Sequence, residues 1–490
     1  MKRIAAAFTA LFVLASCLMA GGSIYMHAHR NDLEITGEVL YGERAMASGV
    51  EVRQSVLIDG HPNWEVSYSP AAASHVTRAG WSLPELRRTA ARPPAISIGS
   101  ITSGLTISYD GGRSVIRLYD IPVVQEIADG IAASASARDG EHATELLLND
   151  YTDRLPIVAR VDSDIDIGRE EAAAGIDLSD VFPLPMPYDL PCRVTYSSTD
   201  ASGSMGTAEF RLLEYPYDID GSSVLAADGN LYLAFTAHGA DGELLDGSSL
   251  PGGSWGVWRI PCEVTGSDSG ERWWAGRVRL SANLDAVELV SPIGTGVDAV
   301  KLCLSYDGTK LLLLTAESGT LYLTVIDTAT GENLQRLALA QEEGLCPGGG
   351  LAQAVQRFVQ YSGAGSEVLL TEGRALVLAG QGGEYSLAMS ADLTALPVPE
   401  CYSEDAGGST YLWDYGAMVS DGKRLLVLEH VGAQDAASGA DGDGTVAERL
   451  SVFGPGGLEY CEWLESQLGY YYYGSPEHSF SVDFTAGFAA

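Results

Sequence analysis

Hydrophobic and polar residues alternate along most of the chain in the manner of short β-strands joined by tight turns. Residues 305–334 show this most clearly, as SYDGTKLLLLTAESGTLYLTVIDTATGENL. An Asp-Gly turn, an apolar strand at 311–314, a Ser-Gly turn, an alternating strand at 321–326 and a Thr-Gly turn follow one another. Such turn pairs suit hairpins because they tolerate positive φ. The segment predicts a strand–turn–strand–turn–strand unit.

Weaker copies of this unit recur along the chain. Asp-Gly precedes an apolar strand at Asp110, Asp228, Asp307 and Asp421, with separations that are irregular but partly near multiples of about 40 to 45 residues. Antiparallel strands without βαβ alternation favour sandwich arrays or a propeller. We therefore predict an all-β fold, with a β-propeller of roughly seven or eight blades over residues 95–490.

Residues 27–94 are predicted to form a small N-terminal β region before the propeller. Two strand-like runs and a third after Asp59-Gly60 indicate an antiparallel hairpin or small sheet at residues 33–68. Residues 121–135 are the one helix candidate. The tail at 479–484 alternates again, and we expect it to close a ring by pairing with an early strand.

The run VIDTATG at residues 325–331 resembles the repeats of bacterial β-propellers of the YVTN, WD40 and quinoprotein-like kind. The resemblance covers residues 200–490 and, more loosely, 95–200, and it indicates no specific family. It implies a propeller fold. Propellers serve as enzymes, binding modules and scaffolds, so the fold does not decide the function.

The N-terminus has the layout of a secretory signal peptide. Met1-Lys2-Arg3 is basic, residues 4–13 are apolar, and Leu14-Ala15-Ser16-Cys17 follows. The last four residues resemble a bacterial lipobox, which implies cleavage before Cys17 and acylation of its thiol. An uncleaved anchor through residue 26 is the alternative, because the apolar run continues. Residues 1–26 thus predict tethering to the extracytoplasmic face of the cell membrane.

The charge and the cysteines exclude several functions. Lys and Arg number 29 against 65 Asp and Glu, a formal charge of −36, which repels nucleic acid. The six cysteines beyond Cys17 are irregularly spaced. We interpret them as small buried hydrophobes, although three disulfides remain an alternative. The sequence has no CxxC motif or Cys/His cluster, so it predicts no structural zinc site.

Several short motifs resemble those of catalytic propellers. Residues 108–114 and 266–273 are similar to the Asp box of sialidases, which stabilises a turn and performs no chemistry. Trp258-Arg259-Ile260-Pro261 is similar to the sialidase motif whose arginine binds a substrate carboxylate, but no acid and nucleophile can be assigned. Residues 252–256 satisfy G-x-S-x-G without the strand before and the helix after. We predict no catalytic residue.

Two acidic loops leave calcium binding open as an alternative, although no cofactor is predicted. Asp162, Asp164 and Asp166 begin like a calcium loop, but glycine and glutamate are missing at the sixth and twelfth positions. Asp435, Asp441 and Asp443 form the other loop. Solvated loops are the simpler interpretation of both.

Aromatic residues and one arginine are the predicted binding residues, because such side chains can stack on sugars or contact proteins. They are Trp258, Arg259, Trp463, Tyr471 and Tyr472. The predicted function is that of a membrane-tethered, non-catalytic module that binds a surface protein or a glycan. The alternatives are a sialidase-like glycoside hydrolase and an envelope assembly scaffold.

Overall fold

In the structure, a computed structural model, most of the described residues lie in β-strands. It describes residues 14–17, 20–21, 24, 35–58, 61–79, 95–100, 102–110, 113–117, 140–155, 157–162, 175–198, 206–214, 216–226, 228–266, 278–341, 359–363, 366–371, 373–381, 383–434, 445–466 and 480–488. The prediction of an all-β chain is confirmed. The helix candidate at 121–135 lies outside the described residues. In the part of the chain that the structure describes, no helix is long and apolar enough to cross a membrane.

The described residues form thirty strands. The first fifteen are β1 (Ile35–Tyr41), β2 (Val50–Ile58), β3 (His61–Ser69), β4 (Ser74–Ala79), β5 (Ala95–Ser100), β6 (Thr102–Asp110), β7 (Arg113–Arg117), β8 (Gly140–Leu147), β9 (Ile157–Asp162), β10 (Gly175–Asp177), β11 (Pro191–Ser198), β12 (Gly206–Leu212), β13 (Asp218–Leu225), β14 (Asn230–His238) and β15 (Gly256–Gly266). The others are β16 (Val278–Ala282), β17 (Glu288–Pro292), β18 (Val297–Leu304), β19 (Lys310–Glu317), β20 (Thr320–Asp327), β21 (Asn333–Gln341), β22 (Val359–Gly363), β23 (Ser366–Thr371), β24 (Arg374–Gln381), β25 (Glu384–Asp392), β26 (Ser409–Ser420), β27 (Leu425–Gln434), β28 (Thr445–Gly454), β29 (Gly457–Ser466) and β30 (Phe480–Phe488). Short 3₁₀ turns lie at Arg44–Ala47, Pro70–Ala72, Leu148–Asp150, Pro251–Gly253, Leu284–Ala286, Glu400–Tyr402 and Glu404–Ala406.

The chain divides into two compact units. A terminal unit combines Met1–Arg88 with Val359–Ala490, and a central unit comprises Thr89–Phe358. The sequence instead predicts a boundary near residue 94 and one domain from there to the C-terminus. The N-terminal strands group with the C-terminal third because they pair with its strands. The predicted domain boundaries stay a prediction.

The terminal unit contains three antiparallel sheets. Strands β22 to β25 form one meander, and β26 to β29 form another, to which β1 adds beside β29. The third sheet has the order β30-β2-β3-β4. The predicted hairpin after residue 50 is confirmed as β2–β3, and the predicted pairing of the tail with an early strand is confirmed as β30–β2. Strand β1 pairs with β29 rather than with β2.

The central unit contains the segment that most clearly shows the repeat. Strands β18 to β21 form a four-stranded meander, and β19 and β20 are the two strands predicted within residues 305–334. A five-stranded sheet has the order β7-β6-β12-β11-β8. An eight-stranded sheet has the order β10-β9-β5-β13-β14-β15-β16, with β17 beside β15.

The number of blades stays a prediction. The described strands form six sheets, but β5 and β13 join the two parts of the largest sheet through only two residue pairs, Ser97–Ser222 and Ile96–Ser223. If the largest sheet is divided between β5 and β13, the described strands form seven sheets instead of six. Within the central unit, Thr236 Oγ1 accepts a 3.2 Å hydrogen bond from the Ala299 backbone N–H, which connects β14 to β18.

The Asp-Gly turns have a common hydrogen-bonded form. The Asp307 carboxylate accepts hydrogen bonds from the Thr309 backbone N–H at 3.0 Å and from the Ser305 hydroxyl at 2.7 Å. Gly308 has a φ of 69°, which favours glycine. These hydrogen bonds, led by that from Ser305, lower the pKa of Asp307 to about 2. Asp228 and Asp421 likewise accept a backbone N–H two residues later, so these predicted turns are confirmed.

The central core contains a cluster of aromatic side chains. The Trp258 ring lies 4.9 Å from Phe182 and 5.3 Å from Phe235, between ring centroids. Cys192, Cys303 and Cys461 are buried, which confirms the interpretation of these cysteines as small hydrophobes. Cys262 is only partly buried, and the interpretation is wrong for Cys401, which is exposed. Cys346 lies outside the described residues. Burial raises the pKa of Cys192 to about 12 and that of Cys461 to about 11, which keeps both thiols protonated near neutral pH.

Candidate functional site

The strongest candidate for a functional surface lies at one end of the five-stranded sheet in the central unit. Leu147, the last residue of β8, is opposite Pro191, the first residue of β11. The Leu213 backbone N–H donates to the Pro191 carbonyl at 2.9 Å. Because side chains alternate along a strand, Leu146 and Cys192 face the opposite side and pack in the core. Leu147, Pro191 and Leu213 therefore form an apolar row across three strands.

Two exposed tyrosines lie close to this row along the chain. Tyr151 follows the 3₁₀ turn after β8, and Tyr188 precedes β11. Tyr188 lies near Tyr217, whose pKa is raised mainly by burial and further by the charge of Tyr188. The four large side chains Leu147, Tyr151, Tyr188 and Leu213 are each between 38% and 43% exposed. Together with Pro191 they make up what we call the Leu147 surface.

The backbone beneath the Leu147 surface is anchored to the core. Leu148 and Leu190 are fully buried, and the Leu148 N–H donates to the Leu190 carbonyl at 2.9 Å. The Leu190 N–H donates to Asn149 Oδ1 at 2.7 Å. The Tyr217 hydroxyl donates to the Pro185 carbonyl at 2.7 Å. The exposed side chains thus project from a fixed backbone, which limits the entropy lost when a partner binds.

The segments that carry the Leu147 surface, and the neighbouring turn at Asp180, are rich in carboxylates. Asp150, Asp153, Asp180, Asp189 and Glu214 are exposed, and the side chains of Asp153 and Asp180 are 93% and 95% accessible. Arg154 Nη1 contacts Asp180 Oδ1 at 2.9 Å, and Arg193 pairs with Glu145. Even with these two arginines the rim is acidic.

This arrangement suits binding of a macromolecule. A contiguous exposed apolar area with a polar rim is typical of an interaction site, because burying it removes apolar surface from water. Leucine and proline side chains offer no hydrogen bonds to sugar hydroxyls. The composition of the Leu147 surface therefore favours a protein ligand over a glycan.

Two of the predicted binding residues lie next to each other on β15. Trp258 is fully buried, and its Nε1–H donates to the Pro251 carbonyl at 2.9 Å. Arg259 forms a hydrogen-bonded ion pair with Glu288. This hydrogen bond is the largest cause of the raised pKa of Arg259. A buried ring cannot stack on a sugar, and the Arg259 guanidinium already has a carboxylate partner. The structure therefore gives both residues structural contacts, and ligand binding by them stays a prediction.

The remaining predicted site residues lie in the terminal unit or outside the described residues. Trp463 is buried in the terminal unit, where its ring stacks on Tyr402 with centroids 5.4 Å apart. Tyr471 and Tyr472 lie outside the described residues. Cys17 is exposed, and its acylation stays a prediction. Asp164, Asp166 and the acidic loop at 435–443 are also outside the described residues. Among the residues described, no group of three or more His, Cys, Asp or Glu could hold a metal ion.

Buried ionisable groups in the terminal unit form pairs that join strands. Glu429 on β27 accepts hydrogen bonds from Arg449 on β28 at 2.9 and 3.2 Å. Glu448 on β28 is buried, with His430 Nδ1 3.8 Å from its Oε1. Burial raises the pKa of both carboxyl groups, while Arg449 and His430 act in the opposite direction. These groups stabilise contacts between neighbouring strands.

A contact between His238 and Asp298 connects two strands of the central unit. His238 Nε2, at the end of β14, lies 2.9 Å from Asp298 Oδ1 on β18. The pair links two neighbouring sheets, as the hydrogen bond between Thr236 and Ala299 also does.

The G-x-S-x-G match precedes a strand. Its Ser254 lies shortly before β15 and not before a helix, as the sequence indicates.

Sequence reasoning missed the Leu147 surface, although one signal was present. The run Leu146-Leu147-Leu148 places three leucines in succession at the end of a strand. Because strand side chains alternate between two faces, one of the three must point away from the core. The exposure of Leu213 and Tyr188 beside it depends on the pairing of β8, β11 and β12, which no local pattern specifies.

Comparisons with known proteins give no relative close enough to identify the chain. No protein-family model and no curated protein matches it. The structure is similar to the periplasmic gluconolactonase PpgL of Pseudomonas aeruginosa, with 15% identity, coverage of 76% of this chain and 96% of that chain, and a TM-score of 0.24. It is similar to the β-propeller domain of Cps50 (Swd1) from Myceliophteria thermophila, with 9% identity, coverage of 64% and 90%, and a TM-score of 0.24.

A third similar structure is a chain of a mitotic checkpoint complex. The identity is 10% and the TM-score 0.18, and the match covers 48% of this chain and only 53% of that chain. TM-scores this low carry no argument about fold or activity. A function for this chain must therefore be inferred from its own sheet topology and from the Leu147 surface.

Proposed function

We propose that this chain is an exported, membrane-tethered protein of the β-propeller type that binds another protein through the Leu147 surface. The observation that carries the proposal is the clustering of Leu147, Tyr151, Tyr188 and Leu213, all exposed, at one end of one sheet. Monomeric proteins seldom leave such side chains together in water without a partner. Tyrosine is also among the residues enriched in protein interfaces.

The sheet topology supports the propeller part of the proposal. Strands β18 to β21, β22 to β25 and β26 to β29 are each consecutive four-stranded antiparallel meanders, which is the form of a propeller blade. The pairing of β30 with β2 joins the two ends of the chain, as ring closure requires. The proposed blade number remains seven or eight, on the repeat length.

The N-terminal sequence supports the tether. Lys2 and Arg3, the apolar residues 4–13 and Cys17 within Leu-Ala-Ser-Cys fit a lipoprotein signal, and the longer apolar run fits an uncleaved anchor. In both cases the terminal and central units lie on the extracytoplasmic side. The formal charge of −36 favours solubility there and disfavours binding to nucleic acid.

The test is affinity capture of the tagged full-length protein from chemically crosslinked native cells. The binding variant carries Leu147→Ser and Leu213→Ser. A matched control carries Leu334→Ser and Tyr306→Ser, which alter exposed side chains elsewhere in the central unit. We expect one protein to be recovered near stoichiometry with the wild type and the control, and at least about tenfold less with the binding variant.

Two results would reject the proposal. One is equal recovery of the partner by the binding variant and the control. The other is recovery of polysaccharide without any protein, which would favour the glycan-binding or glycoside hydrolase alternatives. Thermal unfolding of each variant must match the wild type, so that a loss of recovery reports binding and not misfolding.

A further inference from the structure

The acidic rim of the Leu147 surface indicates which charge a protein partner would carry at this contact. Asp150, Asp153, Asp189 and Glu214 are exposed. Two arginines are also present, but each already contacts carboxylates: Arg154 contacts Asp180 at 2.9 Å and Asp153 at 3.8 Å, and Arg193 contacts Glu145. The carboxylates still outnumber the arginines. The charge left to attract a partner is therefore negative.

The tyrosines reinforce this preference. Tyr151 and Tyr188 are half-exposed beside Asp150 and Asp189. An aromatic face attracts the cationic head of Lys or Arg, and the adjacent carboxylate adds an ion pair to the same group. An anionic partner would meet repulsion at the same positions.

The apolar row is short. It runs across β8, β11 and the end of β12, and neighbouring strands lie about 4.8 Å apart, so the row is on the order of 10 Å long. A row of that length can accommodate one or two apolar side chains from a single segment of the partner protein. The rest of the contact must then fall on the tyrosines and the carboxylates.

We infer that the partner presents a cationic segment, with Lys or Arg flanking one or two apolar side chains that pack on Leu147, Pro191 and Leu213. The inference rests on the proposed function and specifies the partner for the same surface. A second copy of this chain, with its formal charge of −36, would be repelled. Anionic lipid and nucleic acid would be repelled for the same reason.

A charge-neutralised variant tests the inference. It carries Asp150→Asn, Asp153→Asn, Asp189→Asn and Glu214→Gln. A control variant carries Glu243→Gln, Glu263→Gln, Asp285→Asn and Glu332→Gln, which neutralise exposed carboxylates elsewhere in the central unit. Both variants change the net charge equally, so a difference between them reports position and not total charge.

The readout is recovery of the captured partner by each full-length variant at about 50 mM and about 500 mM salt, with zero-length carboxyl-to-amine crosslinking and mass spectrometry. We expect the neutralised variant to recover about tenfold less partner at low salt, and the control to stay within about twofold of the wild type. We expect wild-type crosslinks to join Asp150, Asp153, Asp189 or Glu214 to partner lysines.

The inference is overturned if the neutralised variant recovers as much partner as the control at both salt concentrations. It is also overturned if every crosslink maps to other carboxylates, or if the captured protein is a second copy of this chain. Loss of the partner with Leu147→Ser and Leu213→Ser but not with the neutralised variant would leave the proposed function standing and reject only the cationic segment. Unchanged recovery with both variants would reject both.

Discussion

The fully buried Oε1 of Glu462 accepts a 2.7 Å hydrogen bond from Nη1 of Arg44, across 418 residues of sequence. The Tyr68 hydroxyl donates to the same oxygen at 2.7 Å, and the Tyr460 hydroxyl donates to Oε2 at 2.8 Å. Arg44 also donates to the carbonyls of Gly37 and Pro70. This cluster connects β1, the turn after it, β3 and β29, and so joins the start of the described β structure to its last meander.

Replacing Arg44 with alanine should destabilise the terminal unit. The substitution leaves the Glu462 carboxylate buried without its cation, which costs about 3 kcal/mol, at the low end for buried pairs because Arg44 is 30% exposed. Urea unfolding of Arg44→Ala and of Arg53→Ala provides the comparison. Arg53 pairs with Glu51 at the surface, so its loss should cost under about 0.5 kcal/mol. Equal losses would show that Glu462 does not need Arg44.

A side chain at Gly37 would collide with the buried cluster around Glu462. A Cβ atom at Gly37 would overlap Glu462 Oε1 and lie 2.7 Å from the Tyr68 hydroxyl. We expect Gly37→Ala to cost about 1–3 kcal/mol of unfolding free energy, because the buried cluster must shift. Gly487→Ala is the control, since no atom lies within 4 Å of its Cβ position. A Gly37→Ala variant as stable as Gly487→Ala would contradict this geometry.

The sequence predicted the local elements well and their long-range partners poorly. Alternation and the Asp-Gly and Ser-Gly turns predicted β19 and β20, because both signals act within a few residues. Strand β1 pairs with β29 instead of β2, and the buried Glu462 of β29 contacts Arg44, which lies just after β1. A glutamate in the sequence YCEWLES gives no sign that it is buried, since glutamate is mostly exposed.

Glu448 should make the stability of the terminal unit depend on pH. Burial raises the pKa of Glu448, with His430 acting in the opposite direction. The folded state therefore keeps a proton at pH values where the unfolded chain, with a Glu pKa of about 4.3, has released it. Its contribution to stability falls as the pH rises from that value through the raised pKa.

The test compares unfolding free energies of the wild type and Glu448→Gln between about pH 4 and pH 8. Glutamine stays neutral, so the variant should gain stability relative to the wild type as the pH rises. Glu38→Gln, at an exposed position on β1, is the control and should follow the wild type. A difference between Glu448→Gln and the wild type that is constant with pH would contradict the predicted protonation.

Trp258 should behave as a core residue in stability measurements. Its ring is fully buried against Phe182 and Phe235, so Trp258→Ala should cost about 3–5 kcal/mol. Leu334→Ala, at an exposed position of the same unit, should change stability by less than about 0.5 kcal/mol. Chemical unfolding measures both. A stable Trp258→Ala variant that no longer binds its partner would instead support the prediction that Trp258 is a binding residue.

The candidate surface was harder to predict than the fold. The sequence favours Trp258 and Trp463 as binding residues because tryptophan often binds ligands, yet large aromatic residues in β-sheets commonly fill the core, as both do here. The Leu147 surface consists of leucines, a proline and tyrosines, residue types that sequence patterns assign to the core. Only the pairing of β8 with β11 and the hydrogen bond from Leu213 to Pro191 show that Leu147, Pro191 and Leu213 share an exposed face.

Amide hydrogen exchange of the full-length protein, with and without the captured partner, tests the location of binding most directly. We predict that the partner slows exchange at residues 147–151, 188–193 and 211–213, because the Leu147 surface is the proposed contact. Residues 306–309 and 333–336, which are remote in sequence and carry exposed Tyr306 and Leu334, should exchange unchanged. Slower exchange confined to other segments, with none at the Leu147 surface, would contradict the proposed function.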